Sequence, residues 1–265
     1  MADERTSVAT LVLTLSYDGA RFAGFARQEG RETVQGRLEA ALGTVLRRDV
    51  DTTGAGRTDA GVHALGQVVS VPLETGEEDV DPRMLLRSLN ALAGDGIVVT
   101  GARLAPPGFS ARFGAQAREY RYRLVPGSVP PLFLGHAAWW VKHDLDLEAM
   151  RSAAAALIGE HDFRSFCVAE SAEGKRTVRR IDAIDITRAE ELGEHCVVVR
   201  VVGNAFLHSM VRVIVGSLVE VGRGRRRAEW LAEVLAARDR SAAGPTAPAQ
   251  GLVLWHVSYP EECWS

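Results

Sequence analysis

Alternating hydrophobic segments and segments with a helical stripe follow one another along this chain in an order that departs from a simple βαβ repeat. That order sets the fold class. Residues 10–17, TLVLTLSY, alternate and are rich in branched side chains, which predicts a strand closed by the Asp18-Gly19 turn. Residues 33–48 place Val34, Leu38, Ala41, Leu42, Val45 and Leu46 on one stripe, a helix with Thr33 as its N-cap. A strand over 67–73, a helix over 81–92 with Pro82 at its first position, and a strand over 96–104 give the order β, α, loop, β, α, β. Pro106-Pro107-Gly108 then interrupts the pattern and predicts two domains, 1–105 and 106–265. Beyond it, strands are expected over 119–125, 178–187, 196–202 and 252–259, and helices over 146–157, 206–221 and 227–237. The pair 178–187 and 196–202 reads as a hairpin. The expectation is an α+β protein of two similar halves, each with a mostly antiparallel mixed sheet, meeting at a cleft.

Composition narrows the class further. With 46% hydrophobic and 25% charged residues the chain is far from the signature of disorder. Cys167, Cys196 and Cys263 are too scattered for a disulfide framework or a paired-cysteine zinc site, and read as reduced thiols. The amino-terminal MADERTS lacks the apolar core of a signal peptide, and the longest apolar stretch, 206–221, is interrupted by His208 and Arg212. A soluble cytoplasmic protein without membrane contact is expected. The net charge is −3, yet arginines gather at Arg112, Arg118, Arg121 and Arg123, at Arg176, Arg179 and Arg180, and at Arg223, Arg225, Arg226 and Arg227. Such clusters favour a polyanionic partner over a set of solvated faces.

The stretch least suited to packing is TTGAGRTDAGVHALG, residues 52–66. It fails the Walker pattern, because Val62-His63 follow Gly61. It fails the dinucleotide fingerprint, because Asp59 stands where a third glycine is required and would repel a pyrophosphate. Glycines at 54, 56 and 61 instead bracket a charged tripeptide and let the backbone turn tightly while a substrate approaches. Asp59 then projects from a pinned turn, with Arg57 placed to keep its carboxylate ionised, ready to act as a nucleophile or base. The alternative is a turn aspartate that satisfies its own backbone.

Two other places add to this. In REYRYR, residues 118–123, Tyr120 and Tyr122 alternate with arginines, so the rings share one strand face for stacking and the guanidiniums take the other. Arg212 stands among Met210, Val211, Val213, Ile214 and Val215, where an arginine requires a carboxylate partner or an exposed position; Asp59 is the expected partner. The seven histidines form no metal-ligand pattern, His63 reads as a core or capping residue, and no serine occupies a nucleophile elbow. No metal is therefore expected.

In these residues the chain resembles the tRNA pseudouridine synthase A family. Tyr17-Asp18-Gly19 with Phe22 and Gly24 looks like the family's opening segment, and residues 55–64, AGRTDAGVHA, match its catalytic loop throughout. Residues 109–112 (FSAR), 120–122 (YRY), 161–163 (HDF) and 204–207 (NAFL), Val211-Arg212 and Gly251-Leu252 follow in the family's order and spacing. The sequence departs in having Gly24-Phe25-Ala26 for the usual Gly-Trp-Gln, and Leu92-Ala93 where a Leu-Pro is common. The resemblance implies two α+β halves whose sheets join across a basic cleft, and a homodimer. It also implies isomerisation of uridine to pseudouridine at positions 38, 39 and 40 in the anticodon stem-loop of tRNA, without cofactor or metal. Carried over by position, it makes Asp59 the catalytic carboxylate and Tyr120 the base-stacking ring. Arg57 and Arg212 become groups around the substrate, and Arg118, Arg121, Arg223, Arg225 and Arg226 contribute to the RNA surface.

Overall fold

The computed structural model describes residues 7–264 apart from Glu78. All of MADERTS except Ser7 lies outside the described residues. Along the chain run β1 (Ala9–Tyr17), α1 (Val34–Leu46), β2 (Thr53–Gly54), β3 (His63–Leu73), α2 (Pro82–Leu92), β4 (Ile97–Ala105), β5 (Ala117–Pro126) and β6 (Trp139–Val141). There follow α3 (Leu147–Ala155), β7 (Gly159–Asp162), α4 (Ala169–Ala172), β8 (Val178–Glu191), β9 (Glu194–Gly203), α5 (Met210–Gly222), α6 (Trp230–Ala237) and β10 (Leu252–Ser258). The class is α+β with mostly antiparallel pairing. Among the described residues no helix is long and apolar enough to cross a membrane.

The chain divides into two compact units, residues 1–116 with 254–265, and residues 117–253. The first change of unit falls at the start of β5 and not at Pro106-Pro107-Gly108. Hydrogen bonds explain the difference. The Ala111 amide donates to Ser70 Oγ at 3.0 Å, the Tyr259 hydroxyl donates to the Ala111 carbonyl at 2.7 Å, and the Phe109 ring lies 5.4 Å from Tyr259 and 5.0 Å from Trp264. Residues 106–116 are thereby held to the first unit.

In the first unit the strand order is β4-β1-β3-β10, with β2 added to part of β3. Leu11, Leu13 and Leu15 of β1, Val69, Val71 and Leu73 of β3, Leu38 and Leu42 of α1, and Leu85 and Leu89 of α2 form its core. Both helices start as their sequences dictate. The Thr33 side chain accepts from the Gly36 amide, and Asp81 accepts from the Arg83 amide with Pro82 at the first position. Strand β3 begins at His63, four residues before the alternation signals it. Its Gly66 passes so close to the Trp255 carbonyl that an added Cβ would stand 2.5 Å from that oxygen. Across the β1–β3 ladder Leu15 faces Gln67 and Tyr17 faces Ala64, with an irregularity between them.

In the second unit the order is β5-β9-β8-β7, with β6 parallel to β5 at its end. The β8–β9 hairpin forms as expected, and α5 is buried almost all round. Helix α5 starts at Met210 and not at Phe206, because Ser209 has a φ of 57°, a left-handed conformation that a helix cannot continue through. The segment 244–247 crosses α5 at backbone distance. The Gly244 amide donates to Ser217 Oγ at 3.0 Å and the Ala247 amide donates to the Arg212 carbonyl at 3.1 Å.

Two stability predictions follow from this packing. A Cβ at Gly216 would stand 1.8 Å from the Pro245 carbonyl oxygen, so Gly216→Ala forces the crossing segment outward. The expected loss is about 1–3 kcal/mol by urea denaturation; an unchanged midpoint would contradict it. Arg48 grips Glu77 through Nε at 2.7 Å and Nη2 at 2.9 Å, and this pairing holds the Glu77 carboxyl below its ordinary value of 4.5. A carboxylate depressed in the folded state stabilises above its unfolded pKa and loses that contribution as pH falls through the folded one. The stability difference between wild type and Glu77→Gln is therefore expected at neutral pH and shrinks below about pH 4.5. A difference independent of pH would refute the assignment.

Candidate active site

From Gly54 to Gly61 the chain carries only Ala55, Arg57, Thr58, Asp59 and Ala60 as side chains, so apolar packing cannot fix its path. Hydrogen bonds do. The Ala55 amide donates to the Val68 carbonyl at 2.8 Å, and Gln67 Nε2 donates to the Gly56 carbonyl at 2.8 Å. Thr58 is bound twice, its Oγ1 2.8 Å from the Tyr17 hydroxyl and its carbonyl accepting from the Phe25 amide at 3.1 Å. The Val62 amide closes a turn on the Asp59 carbonyl at 3.1 Å, with Gly61 at a φ of 80°. Gly24, at a φ of 107°, passes the loop so closely that a Cβ there would lie 3.1 Å from the Thr58 carbonyl oxygen. Phe25 fills the space that a side chain at Gly54 would need, since a Cβ at 54 would stand 2.5 Å from its ring.

Along this segment Arg57 is exposed, Thr58 is buried and Asp59 is half-buried. Thr58 is the anchor, and the two charged residues beside it are left for the surface. His63 follows as a capping residue whose Nδ1 accepts the Gly19 amide at 3.2 Å. Gly19 itself admits nothing larger, for a Cβ would stand 2.1 Å from the Val62 carbonyl oxygen. The opening strand therefore supports the loop at Tyr17, Gly19, Gly24 and Phe25. The supporting residues Tyr17, Thr58 and Gln67 were not apparent as a set from the sequence. The signal available was Gln67, a long polar side chain opening a strand whose next residues are Val68, Val69, Ser70 and Val71.

In the second unit β5 presents Arg118, Tyr120, Tyr122 and Leu124 to the interior. The expectation that all the arginines of 118–123 oppose the tyrosines is corrected by this parity. Arg118 is an even position, 8% exposed, and its Nη1 donates to the Asn204 carbonyl at 2.6 Å. Arg121 and Arg123 do lie on the other face, where they meet Glu119 at 2.8 Å and Glu191 at 2.7 Å. The Tyr120 ring is held edge-on to Phe206 at 5.1 Å. Tyr122 is fully buried, its hydroxyl donating to the Pro248 carbonyl at 2.7 Å, and burial pushes its phenol well above the ordinary value.

Arg212 sits half-buried in the first turn of α5, and its Nε donates to the Ala247 carbonyl at 2.8 Å. The segment that crosses α5 thus orients this guanidinium. The late arginine cluster caps the carboxyl end of α5, where cations oppose the helix dipole. Arg225 meets Glu220 at 3.2 Å, Arg227 pairs with Glu233, and Arg226 lies 5.0 Å from the Trp230 ring centre.

A carboxylate on a rigid, thinly clothed loop can act on a substrate placed close to the backbone, as a nucleophile or base. The family profile described as tRNA pseudouridine synthase matches residues 14–113 and 153–260. The "tRNA pseudouridine synthase A" of Burkholderia lata is 46% identical over 254 residues, spanning 95% of this chain and 90% of the relative. The protein of the same name from Geobacillus sp. is 42% identical over 247 residues, spanning 93% and 96%. That of Shouchella clausii is 41% identical over 253 residues, spanning 95% and 94%. With a family profile that matches most of the chain and relatives alike over nearly all of it, the chain belongs to the tRNA pseudouridine synthase family.

Proposed function

We propose that this isomerase, which converts uridine to pseudouridine in tRNA, acts on uridines 38, 39 and 40 of the anticodon stem-loop, with Asp59 as its catalytic carboxylate. The observation that carries the proposal is the loop of Asp59. It lies in the segment that matches the family's catalytic loop, it is held by hydrogen bonds to Val68, Gln67, Tyr17 and Phe25, and from Gly54 to Gly61 only Ala55 and Thr58 are buried.

The reaction breaks the bond from uracil N1 to ribose C1′, turns the base, and joins C5 to C1′. The proton on C5 leaves and N1 gains one, so oxidation state is unchanged. The carboxylate of Asp59 serves this sequence by attack at C1′ or at the base, or by stabilising charge at C1′. The target base must first leave its stack, which costs a few kcal/mol. In the proposal Tyr120 offers a ring face to it, and Arg57 and Arg212 act on the displaced nucleotide and its phosphate. Arg121, Arg223, Arg225 and Arg226 supply contacts to the RNA backbone further away. Arg118 is better assigned to holding Asn204 than to RNA. A homodimer in the cytoplasm belongs to the same proposal, in keeping with three cysteines that are all unpaired.

Tritium release from tRNA labelled at uridine C5 tests the chemistry. Wild-type protein is expected to release tritium and Asp59→Ala to release none above background; equal release by both would refute the role of Asp59. The outer basic surface has its own test. Arg225→Ala with Arg226→Ala is expected to weaken tRNA binding and reduce the salt slope by up to about 2, while turnover on saturating tRNA persists. An unchanged slope would remove these residues from the RNA surface.

A further inference from the structure

Three polar side chains converge under the catalytic loop from positions up to fifty residues apart. Tyr17 is 5% exposed, Thr58 is 7% exposed and Gln67 is fully buried. Tyr17 and Gln67 meet across the β1–β3 ladder where its register slips between Leu15 and Tyr17, and their side chains are hydrogen-bonded. Gln67 is the donor at one end of this set. Gln67 Nε2 contacts the Gly56 carbonyl, which can only accept, so that atom is the amide nitrogen. Its contact at 3.4 Å with the Tyr17 hydroxyl is therefore a donation, and the Tyr17 hydroxyl in turn shares a hydrogen bond of 2.8 Å with Thr58 Oγ1, in which either oxygen can donate.

We propose that Gln67, Tyr17 and Thr58 form a hydrogen-bond chain whose task is to position Asp59. This rests on the reading of Asp59 as the catalytic carboxylate. The chain ends on the residue directly before Asp59, and Gln67 also fixes the residue directly before Arg57. Both charged side chains are thus aimed from one buried amide. An apolar trio of the same shape would fill the space at similar stability, because the net gain from a buried hydrogen bond is small. What the polar trio adds is a single geometry for a loop that packing leaves undetermined. Burial raises the Tyr17 phenol to about 12, so the proton this chain needs stays in place over the working pH range.

The test uses the full-length protein and C5-tritiated tRNA, with Tyr17→Phe, Thr58→Val and the double variant, each checked for folding by circular dichroism. Single-turnover release is expected to slow about tenfold to a hundredfold in each single variant. Their tRNA Kd should stay within about twofold of wild type, and the deficit should be the same at every pH from about 6 to 9. The double variant should be no slower than the worse single one, because both remove the same bond. Thr58→Ser should recover most of the turnover lost in Thr58→Val. Release by Tyr17→Phe at the wild-type rate, a loss confined to Kd, or additive losses in the double variant would each overturn the proposal. Asp59→Ala is run alongside. If it is inactive while Tyr17→Phe is not slowed, only the positioning chain fails; if it is active, the reading of Asp59 fails and this proposal with it.

Discussion

The backbone from Gly54 to Gly61 buries only the small side chains of Ala55 and Thr58, so its shape depends on hydrogen bonds to the strands beside it. Ala55 is bonded to Val68, Gly56 to Gln67, and Thr58 to both Tyr17 and Phe25. The first unit is built around that requirement. β1 supplies Tyr17, the turn after it supplies Gly19 and Phe25, and β3 supplies Gln67 and Val68, while α1 and α2 bury the hydrophobic faces that make the strands rigid. A substrate needs to come close to the backbone here. Substrate access and internal packing compete for the same space, and the loop resolves the conflict by being held from beneath.

The second unit meets a comparable demand with different means. Arg212 lies on a helix that is otherwise interior, where an unpaired cation would cost several kcal/mol. The crossing segment 244–247 reaches α5 because Gly216 and Gly244 have no side chains, and it delivers the Ala247 carbonyl to Arg212 Nε. Tyr120 is placed by strand parity and steadied by Phe206. Neither residue depends on a flexible loop for its orientation, and this keeps the entropic cost of ordering it outside the binding step.

Local signals were legible in the sequence, and distant ones were not. The cap at Thr33, Pro82 at the first position of α2 and the β8–β9 hairpin follow from a few adjacent residues and formed as expected. The Asp59 loop could be singled out because its glycines and charges are contiguous. Tyr17, Thr58 and Gln67 escaped notice as a group because only the β1–β3 pairing brings them together. Helix α5 begins four residues late because the left-handed Ser209 leaves no mark on hydrophobic periodicity. Arg118 shares the parity of Tyr120 and Tyr122, so strand alternation by itself places it on the face of the rings, apart from Arg121 and Arg123. The unit boundary moved because two hydrogen bonds at Ala111 outweigh the punctuation of two prolines and a glycine.

In the proposed reaction one carboxylate held by its loop, Asp59, converts particular uridines. Mapping pseudouridine along reacted tRNA by carbodiimide labelling and primer extension tests it most directly. Wild-type protein should produce stops assignable to uridines in the anticodon stem-loop, and Asp59→Asn, nearly identical in shape, should produce none. Stops that persist with Asp59→Asn, or that fall only outside the anticodon stem-loop with the wild type, would contradict it.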